Sequence, residues 1–143
     1  RQKGVKILTI LSQAALEIFS AGVGYGTAKM ALAAGLLHLD KELHDLNINN
    51  IMLYRLYPGT VGTEAVMALV RKGELQNPTS VESVVHAALD LLHGKTMTRD
   101  VRVGYFPGQG IKRVYLQSDQ RFSLLEAVKE EIVDSTFNPN SLL

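Results

Sequence analysis

Two runs of β-branched and aliphatic residues, Gly-Val-Lys-Ile-Leu-Thr-Ile-Leu at 4–11 and Ile-Met-Leu-Tyr-Arg-Leu at 51–56, flank a long helical pattern, and this alternation limits what the chain can fold into. Short, nearly continuous apolar runs read as strands buried on both faces, the habit of parallel sheets covered by helices. The intervening helix is expected over about 24–46. Its first turns carry Ala28, Met30, Ala31, Leu32, Ala33, Leu36 and other apolar residues on nearly every side, so it must be covered all round. Its later turns, Asp40-Lys41-Glu42-Leu43-His44-Asp45, are amphipathic and end in solvent. Asn47-Ile48-Asn49-Asn50 is turn chemistry, and Pro58 stops the second strand. The expected fold class is α/β.

Chemistry enters at the end of the first strand. Ser12 closes it, and Tyr25 and Lys29 follow in the run Tyr25-Gly26-Thr27-Ala28-Lys29, one helical turn apart on one face. An ammonium beside a phenol favours the phenolate, which equips Tyr25 to exchange a proton with a substrate oxygen. Ser12 is placed to hydrogen-bond the same oxygen. A carbonyl or alcohol is the natural substrate. The segment Pro58-Gly59-Thr60-Val61-Gly62-Thr63 follows the second strand, and ligands of open α/β sheets bind beyond the carboxyl ends of the strands, so both stretches arrive at one crevice.

At these residues the chain resembles the short-chain dehydrogenase/reductase family. Tyr25 and Lys29 stand for its Tyr-x-x-x-Lys motif, Ser12 for its strand-end serine, and Pro58, Gly59 and Thr63 for its Pro-Gly-x-x-x-Thr segment. The resemblance implies a Rossmann-like, doubly wound parallel sheet and hydride transfer between NAD or NADP and a small-molecule carbonyl or alcohol. It further implies that Lys29 holds the nicotinamide ribose, and that Pro58, Gly59, Thr60, Val61 and Thr63 lie against the nicotinamide. Residues 63–78 look like the family's substrate lid, and the 24–46 helix implies a homo-oligomer through its second face.

The family's glycine-rich phosphate turn, its Asn-Asn-Ala-Gly strand end and its helical asparagine have no counterpart in the chain. Residues 1–143 therefore read as the carboxyl-terminal half of one dinucleotide-binding domain, with the other half supplied upstream or by another polypeptide. A non-catalytic, oligomerising or regulatory half-domain of the same descent is the alternative.

Further along, Thr79-Ser80-Val81-Glu82 forms a capping box with Thr79 as the cap, and the helix it opens turns Val81, Val84, Val85, Ala88, Leu89 and Leu92 inward before Gly94. A final strand falls either at 101–105 or at 112–116. A last amphipathic helix is expected over about 120–134, with Phe122, Leu125, Val128 and Ile132 on one stripe.

A net charge of +1 with scattered Lys and Arg gives no nucleic-acid footprint, and the absence of cysteine excludes disulfides and thiolate metal sites. No apolar run approaches the roughly 18 residues of a membrane span, so a soluble, cytoplasmic protein without metal is expected. Each candidate also has a plain structural reading. Ser12 can simply close a strand, Tyr25 can edge a core, and Lys29 can be a solvated side chain. Pro58-Gly59 can be only a turn and Thr63 only a helix cap. Gly22, Gly24 and Gly26 do not follow a strand as a phosphate loop would and are assigned to local turn geometry.

Overall fold

The computed structural model describes residues 4–118 and 125–134. Strand β1 (Val5–Ile10) leads through a single 3-10 turn (Gln13–Ala15) into helix α1 (Val23–Asp45), which returns to strand β2 (Ile51–Pro58). Helices α2 (Glu64–Arg71) and α3 (Val81–Leu92) precede strand β3 (Asp100–Phe106), and strands β4 (Gly110–Ser118) and β5 (Leu125–Asp134) complete the sheet. The strand order is β1-β2-β3-β4-β5. β1, β2 and β3 are parallel, whereas β4 and β5 are added antiparallel, so the sheet is mixed rather than parallel throughout.

β2 is buried along most of its length because the two helices cover opposite faces of it. Side chains alternate along a strand, and Tyr54 and Leu56 pack with Ala87 and Leu91 of α3, while Tyr57 packs with Ala33 of α1. Val101 and Val103 join the first cluster, Val114 and Leu116 the second, so both cores run on into β3 and β4. β1, outermost in the order, leaves Val5, Ile7 and Ile10 exposed.

Several expectations change. Both candidate final strands form, joined as a hairpin by the turn around Gly108, whose φ of +71° suits glycine. The expected helix over 120–134 is instead strand β5 where it is described; Phe122 lies outside the described residues. The β4–β5 ladder slips in register between Ile111 and Lys112 and again between Tyr115 and Leu116. Two slips in so short a strand break its two-residue alternation and leave apolar residues at helix-like intervals.

The cap of α3 is Ser80, not Thr79: the Ser80 hydroxyl accepts from the Ser83 amide at 3.1 Å. Thr79 is instead drawn into the backbone, bridging Val61 in parallel, with its amide donating to Thr60 and its carbonyl accepting from Gly62. The inward stripe of α3 is also turned from the expected one. Ala87 and Leu91 are fully buried, and Val81, Val85 and Leu89 are exposed. α1 matches the expected span closely, but Gly26 and Ala33 are its buried residues, and Leu32 and Leu39 face outward uncovered. Among the described residues, no helix is long and apolar enough to cross a membrane.

Candidate functional site

Because β1 and β2 run parallel, their carboxyl ends open on the same side of the sheet. The Leu11 amide extends the pairing past β1 by donating to the Leu56 carbonyl at 2.7 Å, and Ser12 then leaves the sheet in an extended conformation. The Ser12 hydroxyl accepts from the Ala14 amide at 3.1 Å and so caps the 3-10 turn. The plain structural role is therefore real. It uses an acceptor lone pair and leaves the hydroxyl proton free to donate.

The 3-10 turn lies against the start of α1, where a Cβ added to Gly26 would sit 3.8 Å from the Ala14 carbonyl oxygen. The Phe19 ring folds back over the same helix start, and a Cβ on Gly22 would be 2.8 Å from its tip, so a side chain there would have to push the ring aside. Gly22 and Gly26 thus serve close packing. Tyr25 stands in the first turn of α1 with 56% of its surface exposed, and the Lys29 ammonium lies 5.7 Å from its ring centroid. Cation and phenol share one face as their spacing requires, at cation–π range.

Pro58 ends β2, and Gly59 is the tightest point of the crevice. A Cβ there would meet Gln13 Oε1 at 3.0 Å, the Gly104 Cα at 3.2 Å and Thr79 Oγ1 at 3.4 Å. Gln13, immediately after Ser12, therefore touches the loop after β2. The Gly59 amide donates to the Val103 carbonyl at 2.8 Å. Thr79 Oγ1 is buried and has no hydrogen-bond partner among the described residues.

Beyond Gly59 the candidates spread outward. Thr60 is exposed, Val61 is half-buried, and Thr63 is exposed at the N-cap position of α2 without a side-chain cap bond. The cap reading of Thr63 therefore holds by position only, and its hydroxyl is left to other partners. Ser12 with Gln13, the Tyr25–Lys29 face and the Pro58–Gly59 turn are brought to one end of the sheet, with Thr60 and Thr63 on the outer lip.

Beneath this end lies a charged network that the sequence reading missed. Arg55 Nε donates to Asp100 Oδ1 at 2.6 Å and its Nη2 to Oδ2 at 2.7 Å. The Tyr57 hydroxyl donates to the same carboxylate at 2.9 Å. Arg55 also reaches α1, donating to the Leu36 carbonyl at 3.4 Å and to Asp40 at 3.3 Å, and Arg99 closes on Asp40 at 3.0 Å. Burial alone would pull the Arg55 guanidinium down, but the hydrogen bonds and charge of Asp100 outweigh it and hold it above its ordinary value. Burial, followed by the Asp100 charge, pushes the Tyr57 phenol well above its usual range. The network clamps the helix carrying Tyr25 and Lys29 to the strand ending at Pro58. An arginine inside an apolar strand was the available signal, since a buried charge demands a partner.

A shallow depression of about 380 Å³ lies elsewhere, between α3 and β4, lined by His86, Leu89, Asp90, His93, Lys95 and Arg113. It contains no candidate residue. Its one ion pair, Arg113 to Asp90 at 2.8 Å, already engages the strongest cation in it. Among the described residues, no group of three His, Asp or Glu side chains is placed to hold a metal ion.

The chain matches no model of a known protein family, and no curated protein sequence matches it.

Proposed function

We propose that this chain carries the proton-transfer and nicotinamide-facing part of an NAD- or NADP-dependent short-chain dehydrogenase/reductase acting on a carbonyl or alcohol. The observation that supports the reading is that Ser12 with Gln13, the first turns of α1 carrying Tyr25 and Lys29, and the Pro58–Gly59 turn all lie at the end of the sheet where the parallel strands β1 and β2 have their carboxyl ends. That is where open α/β sheets bind their ligands. In this reading β1, β2 and β3 belong to a doubly wound, Rossmann-like sheet that further parallel strands would extend past β1. The apolar outer side of α1, with Leu32 and Leu39 uncovered, would pack on a second copy of the chain. A cytoplasmic enzyme fits this assignment.

The residues present fit the nicotinamide end of the cofactor. Gly59, lacking a Cβ, packs closely on Gln13 and Gly104 and so holds the turn beside the residue that follows Ser12, and the Thr63 hydroxyl is exposed and makes no cap bond. Pro58, Gly59, Thr60, Val61 and Thr63 would hold that end, and Lys29 its ribose. When bound, the cofactor supplies or accepts a hydride.

The remaining work falls to the chain's own groups. Ser12 donates its free hydroxyl proton to the substrate oxygen and fixes its position. Tyr25 passes a proton to that oxygen in reduction and takes it back in oxidation. Lys29, whose ammonium lies 5.7 Å from the Tyr25 ring centroid, holds the ribose beside it. The Arg55–Asp100 clamp keeps α1 in register with the Gly59 turn.

A titration that follows nicotinamide fluorescence tests the reading. Saturable binding of NADH or NADPH, weakened by Lys29→Ala, is expected. No saturable binding of either would favour the second reading, a non-catalytic, oligomerising or regulatory half-domain. The capping bond that occupies Ser12 is the observation on that side.

A further inference from the structure

We propose that the depression between α3 and β4 binds a small phosphomonoester, its phosphoryl group on Arg113, Lys95 and two imidazoles and its organic part against Leu89. The inference goes beyond the function proposed above and does not depend on it. The site contains none of the residues of the crevice at Ser12, Tyr25 and Gly59.

His86, Asp90 and His93 share one face of α3 by their spacing of four and three residues, and Lys95 follows just after the helix. Arg113 comes from β4, so basic groups reach the depression from a helix, a loop and a strand. Among the described residues that line it, Asp90 is the one carboxylate, and its Oδ2 accepts from Arg113 Nη1 at 2.8 Å. Glu131, opposite Arg113 in the β4–β5 pair, accepts from the Tyr115 hydroxyl at 2.8 Å and from the Lys129 ammonium at 2.5 Å. Both acids are thus matched by cations of their own, which leaves Lys95 as unbalanced positive charge.

Arg113 also holds donors in reserve. Asp90 takes one of the five N–H groups of a guanidinium. The Arg113 side chain is only 12% exposed, and its Nε is buried with no partner among the described residues. A planar fork fixed in this way suits phosphoryl oxygens.

Basic residues at a helix end ordinarily serve its last carbonyls, but here other groups meet that need. The carbonyls of Leu89, Leu91 and Asp90 accept from the amides of His93, Gly94 and Lys95, and that of Leu92 accepts from the Lys6 ammonium. The side chains of His93 and Lys95 stay exposed and take no part. A phosphoryl group, with three terminal oxygens, can meet donors arriving from three directions, whereas a planar carboxylate cannot. A volume of about 380 Å³ leaves room for a small organic group, and Leu89, 45% exposed, gives it an apolar contact.

The test is calorimetric titration of the whole protein at pH 7 with phenyl phosphate, compared with benzoate, and repeated on the double variant His93→Ala/Lys95→Ala and on Lys29→Ala. Both side chains of the double variant are exposed, so it should keep the parent's thermal midpoint. Saturable binding of phenyl phosphate, tighter than that of benzoate, is expected. The double variant should weaken it about tenfold or more, the worth of one charge-assisted hydrogen bond, and Lys29→Ala should leave it unchanged. No saturable binding, or equal affinity in the double variant, overturns the inference. Binding no tighter than benzoate overturns the phosphomonoester class, and a loss confined to Lys29→Ala would move the ligand to the crevice and overturn the site.

Discussion

Arg55 and Asp100, 45 residues apart in sequence, meet in a two-pronged ion pair at 2.6 and 2.7 Å, with the arginine side chain only 2% exposed. The pair joins β2 to the first residue of β3, and through Leu36 and Asp40 it also fastens α1. Removing one member strands the other in a dry site, at a cost of about 3–5 kcal/mol. Arg55→Met should therefore lower the urea midpoint sharply, and the double variant Arg55→Met/Asp100→Leu should recover much of the loss. A double variant as unstable as the single one would contradict this account of the pair.

Tyr57 makes the same network sensitive to alkali. Its phenol is held protonated by burial and by the Asp100 charge, so its folded-state pKa lies above the unfolded value of about 10. A group raised in this way contributes stability that is complete below the unfolded pKa and drains away as pH rises above it. Thermal midpoints should fall above about pH 10, and Tyr57→Phe should flatten that fall. At neutral pH the same substitution should cost about 1.5–3 kcal/mol by leaving the carboxylate short of a donor. A profile that Tyr57→Phe leaves unchanged would remove the tyrosine from this role.

The start of α3 separates two neighbouring hydroxyls. Ser80→Ala should cost about 1 kcal/mol, the usual loss for an N-cap. Thr79→Val should be neutral or stabilising, because it replaces an unpartnered buried hydroxyl with a methyl group of the same shape. Equilibrium denaturation of both variants decides the matter, and the reverse order would restore the capping box expected from Thr79 and Glu82.

That pair also shows where the sequence was legible and where it was not. The strands at 4–11 and 51–56, the long helix between them and the stop at Gly94 follow from apolar runs and punctuation, which are local signals. The choice of Ser80 over Thr79 depended on a bridge from Thr79 to Val61, which no local pattern shows. The strand at Leu125–Asp134 read as a helix because two register slips erased its alternation, and pairing with β4 decided its state. At the site, the one-turn spacing of Tyr25 and Lys29 was readable directly. The contact of Gln13 with Gly59 and the partner of Arg55 were not, since both join residues more than 40 positions apart.

A side chain at Gly59 should be costly. Gly59→Ala places a methyl 3.0 Å from Gln13 Oε1 and 3.2 Å from the Gly104 backbone, an overpacking that costs about 1–3 kcal/mol and pushes the turn away from Ser12. Gly62→Ala, whose nearest atoms lie at 3.4 Å, is the control and should be milder. Comparing thermal midpoints and nicotinamide fluorescence for the two variants should show the larger loss in both at Gly59. Equal losses would mean that the crossing of Gly59 and Gly104 does not shape the crevice.

The central claim is that Tyr25 moves the proton, and the direct measurement is steady-state carbonyl reduction by the parent and by Tyr25→Phe, with cofactor affinity measured alongside. Tyr25 is 56% exposed and Tyr25→Phe removes only its hydroxyl, so the variant should fold as the parent does. Its kcat should fall by a factor of about 10²–10⁴, the usual contribution of a positioned acid or base, while the Kd for the nicotinamide cofactor stays near that of the parent. A Tyr25→Phe protein that keeps most of the parent's turnover would contradict the account.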